Sequence, residues 1–195
     1  MSLNFRSLLQ ATAVAAIIAG GSVYATVPAV SAEMTVEVGG APMYPSKNII
    51  ENAVNSKDHT TLVAAVKAAG LVETLSGAGP FTVFAPTNEA FEKLPPGTVE
   101  MLLKPENKDA LVNVLTYHVV AADAMSDAIG KMIADDGGEH PVKTVSGGTL
   151  IAKMNGDKIT LTDENGNVAT VTIADVKQSN GVIHVIDTVL LPKMG

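Results

Sequence analysis

The chain has 195 residues, a formal net charge of −7 and no cysteine, and 47% of its residues are hydrophobic. This length is enough for one domain with a real core, or for one domain with an extension. The acidic balance argues against a protein that binds nucleic acid, which needs a basic face, and against electrostatic adsorption to anionic lipid. The lack of cysteine excludes disulfides, thiol catalysis and cysteine metal ligands.

Residues 1–32 have the pattern of a secretion signal. Arg6 gives a weakly positive start, residues 8–19 form a short apolar run that ends at two glycines, and residues 30–32 (VSA) place small side chains at a cleavage position. The run is too short for a stable membrane span, so we expect removal of residues 1–32 and no integral membrane segment afterwards. This predicts a secreted or periplasmic protein in which residues 33–45 are an extended leader.

Helical patterns occupy the first two thirds of the remaining chain. Ser46 and Asp58 are candidate N-caps of the first two helices, each followed by apolar residues at helical spacing. The first two helices are followed by residues 79–91 (GPFTVFAPTNEAF), which come before a later helix. They predict a buried strand, the end of that strand at Pro86 and a helix capped by Thr87. We take this stretch as the core of the domain, because it contains three of the four phenylalanines.

The later helix contains inward-facing Leu111 and Val114, and residues 116–120 (TYHVV) then predict a strand. From residue 141 onward the pattern is that of hairpins, with turns at residues 155–157, 163–167 and 180–181. Residues 182–187 are apolar on both faces and predict a central strand. Early helices and late hairpins indicate an α+β fold, with helices on the edge or one side of an antiparallel sheet to which the strand before Pro86 must also pair.

Three motifs in this order resemble the fasciclin, or FAS1, domain: residues 79–91, residues 115–120 (LTYHVV) and residues 180–192 (NGVIHVIDTVLLP). The resemblance covers residues 48–192, and it assigns residues 46–193 to a fasciclin domain. It implies a wedge-shaped β-sandwich of about seven strands with helices packed along one edge. A single copy behind an export signal is similar to the small bacterial members of the family.

The resemblance also implies what the domain does. The family is associated with cell adhesion and matrix contact through protein partners, and animal members use the Tyr-His region for this contact. Carried over to this chain, the partner-binding residues are Tyr117, His118, Leu115 and Val119. Many members continue with a Pro-Gly turn after the valines, whereas this chain has AAD at residues 121–123.

Other chemistry is poorly supported by the residue patterns. No serine lies in a Gly-x-Ser-x-Gly elbow, so a triad drawn from Ser146 or Ser179 with a histidine and Asp187 has nothing to order it. The four histidines lack zinc-binding spacing, and the turn at residues 163–167 lacks the glycine and glutamate of an EF-hand. We therefore predict no catalytic residue, no metal and no cofactor; His118 and His184 are more often structural in such positions.

Two functional hypotheses remain. The leading one is an exported, non-catalytic module that binds a protein or polysaccharide of a cell surface or matrix, and that binds no nucleic acid. The alternative is a small-ligand-binding protein or enzyme of the cell envelope with a cleft near His118. The sequence leaves the oligomeric state open.

Overall fold

A computed structural model describes residues 34–193, and the predicted signal segment lies outside this range. The helices of the described part are α1 (Ile49–Ala53), α2 (Thr60–Ala69), α3 (Val72–Ser76), α4 (Asn88–Glu92), α5 (Thr98–Leu102), α6 (Lys108–Tyr117) and α7 (Ser126–Asp135). Two 3₁₀ turns, Lys57–His59 and Pro105–Asn107, precede α2 and α6. No helix among these residues combines the length and the apolar character that crossing a membrane requires.

The strands of the described part are β1 (Val36–Val38), β2 (Ala41–Met43), β3 (Phe81–Pro86), β4 (Val119–Val120), β5 (Glu139–Lys143), β6 (Thr149–Asn155), β7 (Lys158–Thr162), β8 (Val168–Gln178) and β9 (Gly181–Ile186). β1 and β2 form a small hairpin, and the other seven form one sheet in the order β4-β3-β9-β8-β7-β6-β5. The α+β class and the seven strands predicted for the sheet are confirmed.

The pairing of the first sheet strand with the last one sets the centre of the fold. β3 lies beside β9 from Phe81 opposite Gly181 to Pro86 opposite Ile186, as the sequence predicts. This pair is parallel, whereas every other neighbouring pair in the sheet is antiparallel, so the expectation of a fully antiparallel sheet is wrong. The chain between β3 and β9 passes through four helices and five strands, and that length allows the crossover that a parallel pair needs.

The two layers of the predicted sandwich are one continuous, curved sheet. The long strand β8 pairs with β7 through its first residues and with β9 through the rest, with irregular register at two places between Val171 and Val176. Such bulges bend a strand and increase its twist. The edge strands consequently approach each other, and the backbone N–H of Val145, just after β5, donates to the carbonyl of Val119 in β4 over 2.8 Å.

Buried side chains form one cluster on each side of the β3–β9 pair. Val83 and Ile183 belong to the cluster beneath helices α1 to α6, whereas Phe84 and Ile186 belong to a second cluster inside the curved sheet, with Ile129 of α7. Alternate residues of a strand face opposite sides, so burial of both sets explains the continuous apolar pattern of these strands.

The segment predicted to be an extended leader makes the β1–β2 hairpin. Val38 and Met43 are buried and belong to the cluster beneath the helices. The structure caps α1 with Asn48, whose side chain accepts from the Glu51 backbone N–H, and Ser46 is not the cap.

The predicted strand at residues 116–120 is a second correction. Helix α6 continues through Tyr117, and only Val119 and Val120 pair as a strand. The imidazole of His118 contacts the carbonyl of Val114, one turn earlier, and thereby satisfies a carbonyl that the helix end leaves free. Leu111, Val114 and His118 follow one another at helical spacing on the buried face of α6. Burial of this face outweighs the β preference of the residues at the end of the helix.

Candidate functional site

The site that the sequence singles out is the Tyr-His pair where α6 meets β4. Tyr117 has no exposed surface, and its hydroxyl donates to the carbonyl of Thr149 over 2.9 Å and accepts from the backbone N–H of Glu164 over 3.2 Å. Burial raises the pKa of Tyr117 to about 12. The phenol therefore stays protonated at neutral pH and links α6 to β6 and to the turn after β7.

His118 joins the same helix end to the C-terminal tail. Its Nε2 accepts from the backbone N–H of Leu190 over 3.0 Å, so the neutral ring carries its proton on Nδ1, which donates to the carbonyl of Val114 over 2.8 Å. Burial lowers the pKa of His118 to about 4. Both ring nitrogens are occupied by the backbone, which is the structural role expected for a buried histidine.

Asp163 completes this network from the turn between β7 and β8. One carboxylate oxygen accepts from the backbone N–H groups of Asn165 and Asn167, and the other accepts from the Asn167 side chain and from the backbone N–H of Leu191. The four distances are 2.8–2.9 Å. The alternating Asp and Asn residues of this turn therefore bind the C-terminal tail through hydrogen bonds within the protein.

The short turn between β5 and β6 covers Tyr117 from outside. Ser146 donates its backbone N–H to the carbonyl of Thr116, and Val145 bonds to β4 as described above. A Cβ atom on Gly148 would lie 2.5 Å from Cε2 of Tyr117, so only glycine allows the turn to approach the ring. The sequence analysis missed this turn as a cover, although its Ser-Gly-Gly run marks it as a turn.

The predicted partner-binding residues do not form a surface. Tyr117, His118, Leu115 and Val119 are 0%, 3%, 5% and 5% exposed. Their role in partner contact stays a prediction, and in this fold they could exert it only through the surface that they support. That surface consists of Val145, which is 47% exposed, and of the half-buried Ser146.

A narrow apolar cleft lies beside His118, as the alternative hypothesis requires. His118, Leu115 and Val119 line it together with side chains of α1, α2 and α3. The cleft has a volume of about 30 Å³, which is room for one or two water molecules, whereas small-molecule sites measure about 300–1,000 Å³.

The residues of the imagined triad stay apart. His184 accepts from the backbone N–H of Asp175 and donates to the carbonyl of Ala124, while the Asp187 carboxylate accepts from the backbone N–H of Thr170. Ser146 contacts Thr144 over 3.0 Å instead of a histidine. None of these serine, histidine and aspartate side chains is positioned to activate another.

A different serine, Ser56, does contact a histidine, His59, over 2.9 Å. The two residues are 2% and 1% exposed, so no substrate reaches them in this fold. Within residues 34–193, no three His, Asp or Glu side chains come together in a group that could hold a metal ion. The expected absence of a metal or cofactor stays a prediction.

Comparison with known proteins gives the class to which this fold and its motifs belong. The family model of the fasciclin domain matches residues 57–192. A solved FAS1 domain pair from the insect cell adhesion molecule Fasciclin I has the same fold, with a TM-score of 0.67 and 16% identity over 82% of this chain and 58% of that one. The chain belongs to the fasciclin domain family.

Relatives in sequence come from bacteria and animals. Protein sll1483 of Synechocystis sp. is 50% identical over 162 residues, which cover 83% of each chain. The transforming growth factor-beta-induced protein ig-h3 of Sus scrofa is 36% identical over 152 residues, which cover 76% of this chain and 20% of that protein. The match therefore covers most of the bacterial relative but only a fifth of the animal protein.

Proposed function

We propose that the protein is an exported, non-catalytic fasciclin module that binds a protein or polysaccharide of a cell surface or matrix. The observation that carries this proposal is the internal use of the Tyr-His pair: the phenol and both imidazole nitrogens are hydrogen-bonded to backbone groups. Groups used in this way serve the fold, and recognition falls to the exterior. The family as a whole is generally non-enzymatic, and the insect relative with this fold is a cell adhesion molecule.

The contact surface that we infer lies over the Tyr-His pair. Val145 and the half-buried Ser146 form its outer part. Backbone hydrogen bonds to Val119 and Thr116 hold the turn, and the Tyr117 ring packs beneath Gly148, while His118 and Leu115 are buried at the same helix end. An exposed valine beside a hydroxyl on a rigid turn suits a modest apolar contact with a polar rim. In this way the pair contributes to binding without meeting the partner.

Export follows from the pattern of residues 1–32 and has a direct test. Mass spectrometry of the protein recovered outside the cytoplasm should give a chain that begins near Glu33. Recovery of a chain that still begins at Met1 and stays in the cytoplasm would contradict the export step.

The proposed contact role is tested in cells. A strain that lacks the gene should attach to surfaces and aggregate less than the parent, and the wild-type gene should restore both properties. Unchanged attachment and aggregation in the deletion strain would remove the adhesive role. The cleft beside His118 supports the alternative of a small-ligand protein less well, because its volume of about 30 Å³ is too small for a metabolite without opening.

A further inference from the structure

A second, larger opening lies where the two edges of the sheet fail to close. β4 and β5 meet at the hydrogen bond between Val145 and Val119 and then separate. The groove between them has a volume of about 450 Å³, within the usual size of a small-molecule site. Its floor and walls are largely apolar and include Phe84, Ile129 and Met132.

The edge strand β5 is poorly suited to pairing with a guest peptide. The backbone N–H of Thr144 donates to the carbonyl of Gly148, next to β6. Hydrogen-bonded residues alternate along an antiparallel strand, so the backbone groups of Val142 and His140 also face β6. Pro141 and Lys143 therefore turn their backbone groups toward the open side, and Pro141 has no N–H to give. A proline at this place interrupts a ladder and protects an edge from strand addition. The groove thus favours a small molecule over an extended peptide.

The charges at the groove indicate what kind of small molecule it accepts. Two residues with basic side chains line it, and Nδ1 of one of them, His140, contacts a carboxylate oxygen of Asp136 over 2.6 Å. The other, Lys143, is exposed and has no ion pair within residues 34–193, although Lys153 on the next strand is paired with Glu139. An ammonium group with no ion pair among the described residues, beside an apolar groove, complements an anionic head on an apolar body.

We propose that this groove binds a long-chain carboxylate, with the hydrocarbon on the floor formed by Phe84, Ile129 and Met132 and the carboxylate at Lys143. The site is distinct from the cleft beside His118. It does not depend on the proposed adhesive role, although Val145 belongs to both the groove and the proposed contact surface. Binding follows from apolar burial, which is non-directional, while the single charge orients the ligand.

The test uses the domain from Glu33 onward, the probe 11-(dansylamino)undecanoic acid, and dodecanoate and 1-dodecanol as competitors. We expect saturable binding of one probe molecule and displacement of the probe by dodecanoate. Lys143→Gln should weaken dodecanoate binding about fivefold, as expected for a partly exposed charge pair, and leave 1-dodecanol binding unchanged. The matched control Lys158→Gln, at the exposed first residue of β7, should bind like the wild type.

A second pair of variants tests the location. Ala121 is exposed and lines the groove, so Ala121→Trp should fill the groove and abolish probe binding. Ala128→Trp makes the same change on the exposed side of α7 and should leave binding intact. Circular dichroism and a thermal melt confirm that each variant is folded.

Three results would overturn the proposal. They are an absence of saturable probe binding by the folded wild type, equal binding by folded Ala121→Trp, and displacement of the probe by an extended apolar peptide but not by dodecanoate. The last result would assign the groove to a guest strand. Attachment of cells that carry Lys143→Gln is measured in parallel, so that loss of ligand binding and loss of adhesion are distinguished.

Discussion

The protein places its recognisable motif and its open surface in two neighbouring regions with opposite properties. Around Tyr117 and His118 the phenol and imidazole groups have backbone partners, and both side chains are buried. At the neighbouring seam between β4 and β5, the edge strand β5 is interrupted by Pro141, and Lys143 has no ion pair within the described residues. The polar groups of the first region are hydrogen-bonded within the protein, whereas the second region leaves groups available to a ligand.

The difference teaches that a motif can mark a position needed by the fold and not the place where a partner binds. A buried polar group that loses its partner costs free energy, so residues such as His118 tolerate few substitutions for structural reasons alone. Exposed groups carry no such constraint and leave weaker marks in a sequence. Four experiments follow, ordered from the largest expected effect on stability to the smallest.

Removal of the Tyr117 ring should be the most damaging change. Tyr117→Ala leaves a cavity at a fully buried aromatic site and removes the hydrogen-bond partner of the Thr149 carbonyl and of the Glu164 backbone N–H. We expect a loss of about 3–5 kcal/mol in the free energy of unfolding. Tyr117→Phe keeps the ring and should cost about 1–2 kcal/mol. Urea unfolding measures both. A loss below about 1 kcal/mol for the alanine variant would mean that the region is not closed.

Acid should act on the same region through His118. The pKa of this histidine is about 4 in the fold and 6.5 in the unfolded chain, so between these values the unfolded state binds more protons. The stability from the neutral ring is complete above pH 6.5, falls as the pH is lowered, and is lost near pH 4, a change of about 3 kcal/mol. Urea unfolding at several pH values checks this.

The matched variant for the acid experiment is His118→Gln, which has no titratable ring. It should lose less stability than the wild type over the same pH range, while other buried histidines such as His59 and His184, whose pKa values burial also lowers, act equally in both proteins. Parallel pH profiles for the two proteins would show that His118 does not titrate with folding.

Asn180 lies outside both regions and gives an intermediate effect. Its side chain accepts from the backbone N–H of Ile49 and donates to the carbonyls of Leu75 and Gly77, so it fastens α1 and α3 to the β8–β9 turn. Asn180→Ala should cost about 2 kcal/mol in the free energy of unfolding. Asn113→Ala, on the exposed side of α6, is the control and should change stability by less than about 0.5 kcal/mol. Equal losses for the two variants would show that the three bonds contribute nothing.

A substitution at Val145, in the proposed contact surface, should have the smallest effect on stability and a clear effect on binding. Val145→Ser removes an exposed apolar contact and should change the free energy of unfolding by less than about 0.5 kcal/mol. It should weaken attachment about fivefold, as expected for loss of about 1 kcal/mol of contact energy. Val168→Ser, at a valine that is 51% exposed on β8, is the matched control. If both variants attach like the wild type, the contact surface lies elsewhere.

Much of the fold could be predicted because its signals are local. Pro86 and Thr87 end β3 and start α4, and Thr87 accepts from the Ala90 backbone N–H as a cap should. The tight turns between β6 and β7 and between β8 and β9 fall where Asn-Gly pairs indicate them. The end of α6 could not be predicted in this way, because the helix is completed by the His118 ring and by contacts with Leu190, far along the chain.

The candidate site divides along the same line. The sequence marked Tyr117 and His118 as important, but their burial depends on the turn at Gly148 and on the tail at Leu190, which approach only after the sheet has curved. The groove at the seam had no sequence signal at all. Its walls come from β3, β4, α7 and β5, and neither an alanine nor a lysine in those segments is unusual by itself.

By itself the sequence determined most of the elements, the α+β class, the family and the pairing of the two strands buried on both faces, because hydrophobic periodicity, prolines and turn residues act over a few positions. Only the tertiary structure decided the parallel direction of that pair, which side chains are covered, and where the sheet stays open. Those outcomes depend on contacts between residues far apart in the chain, and no single segment of the sequence identifies its distant contact partners.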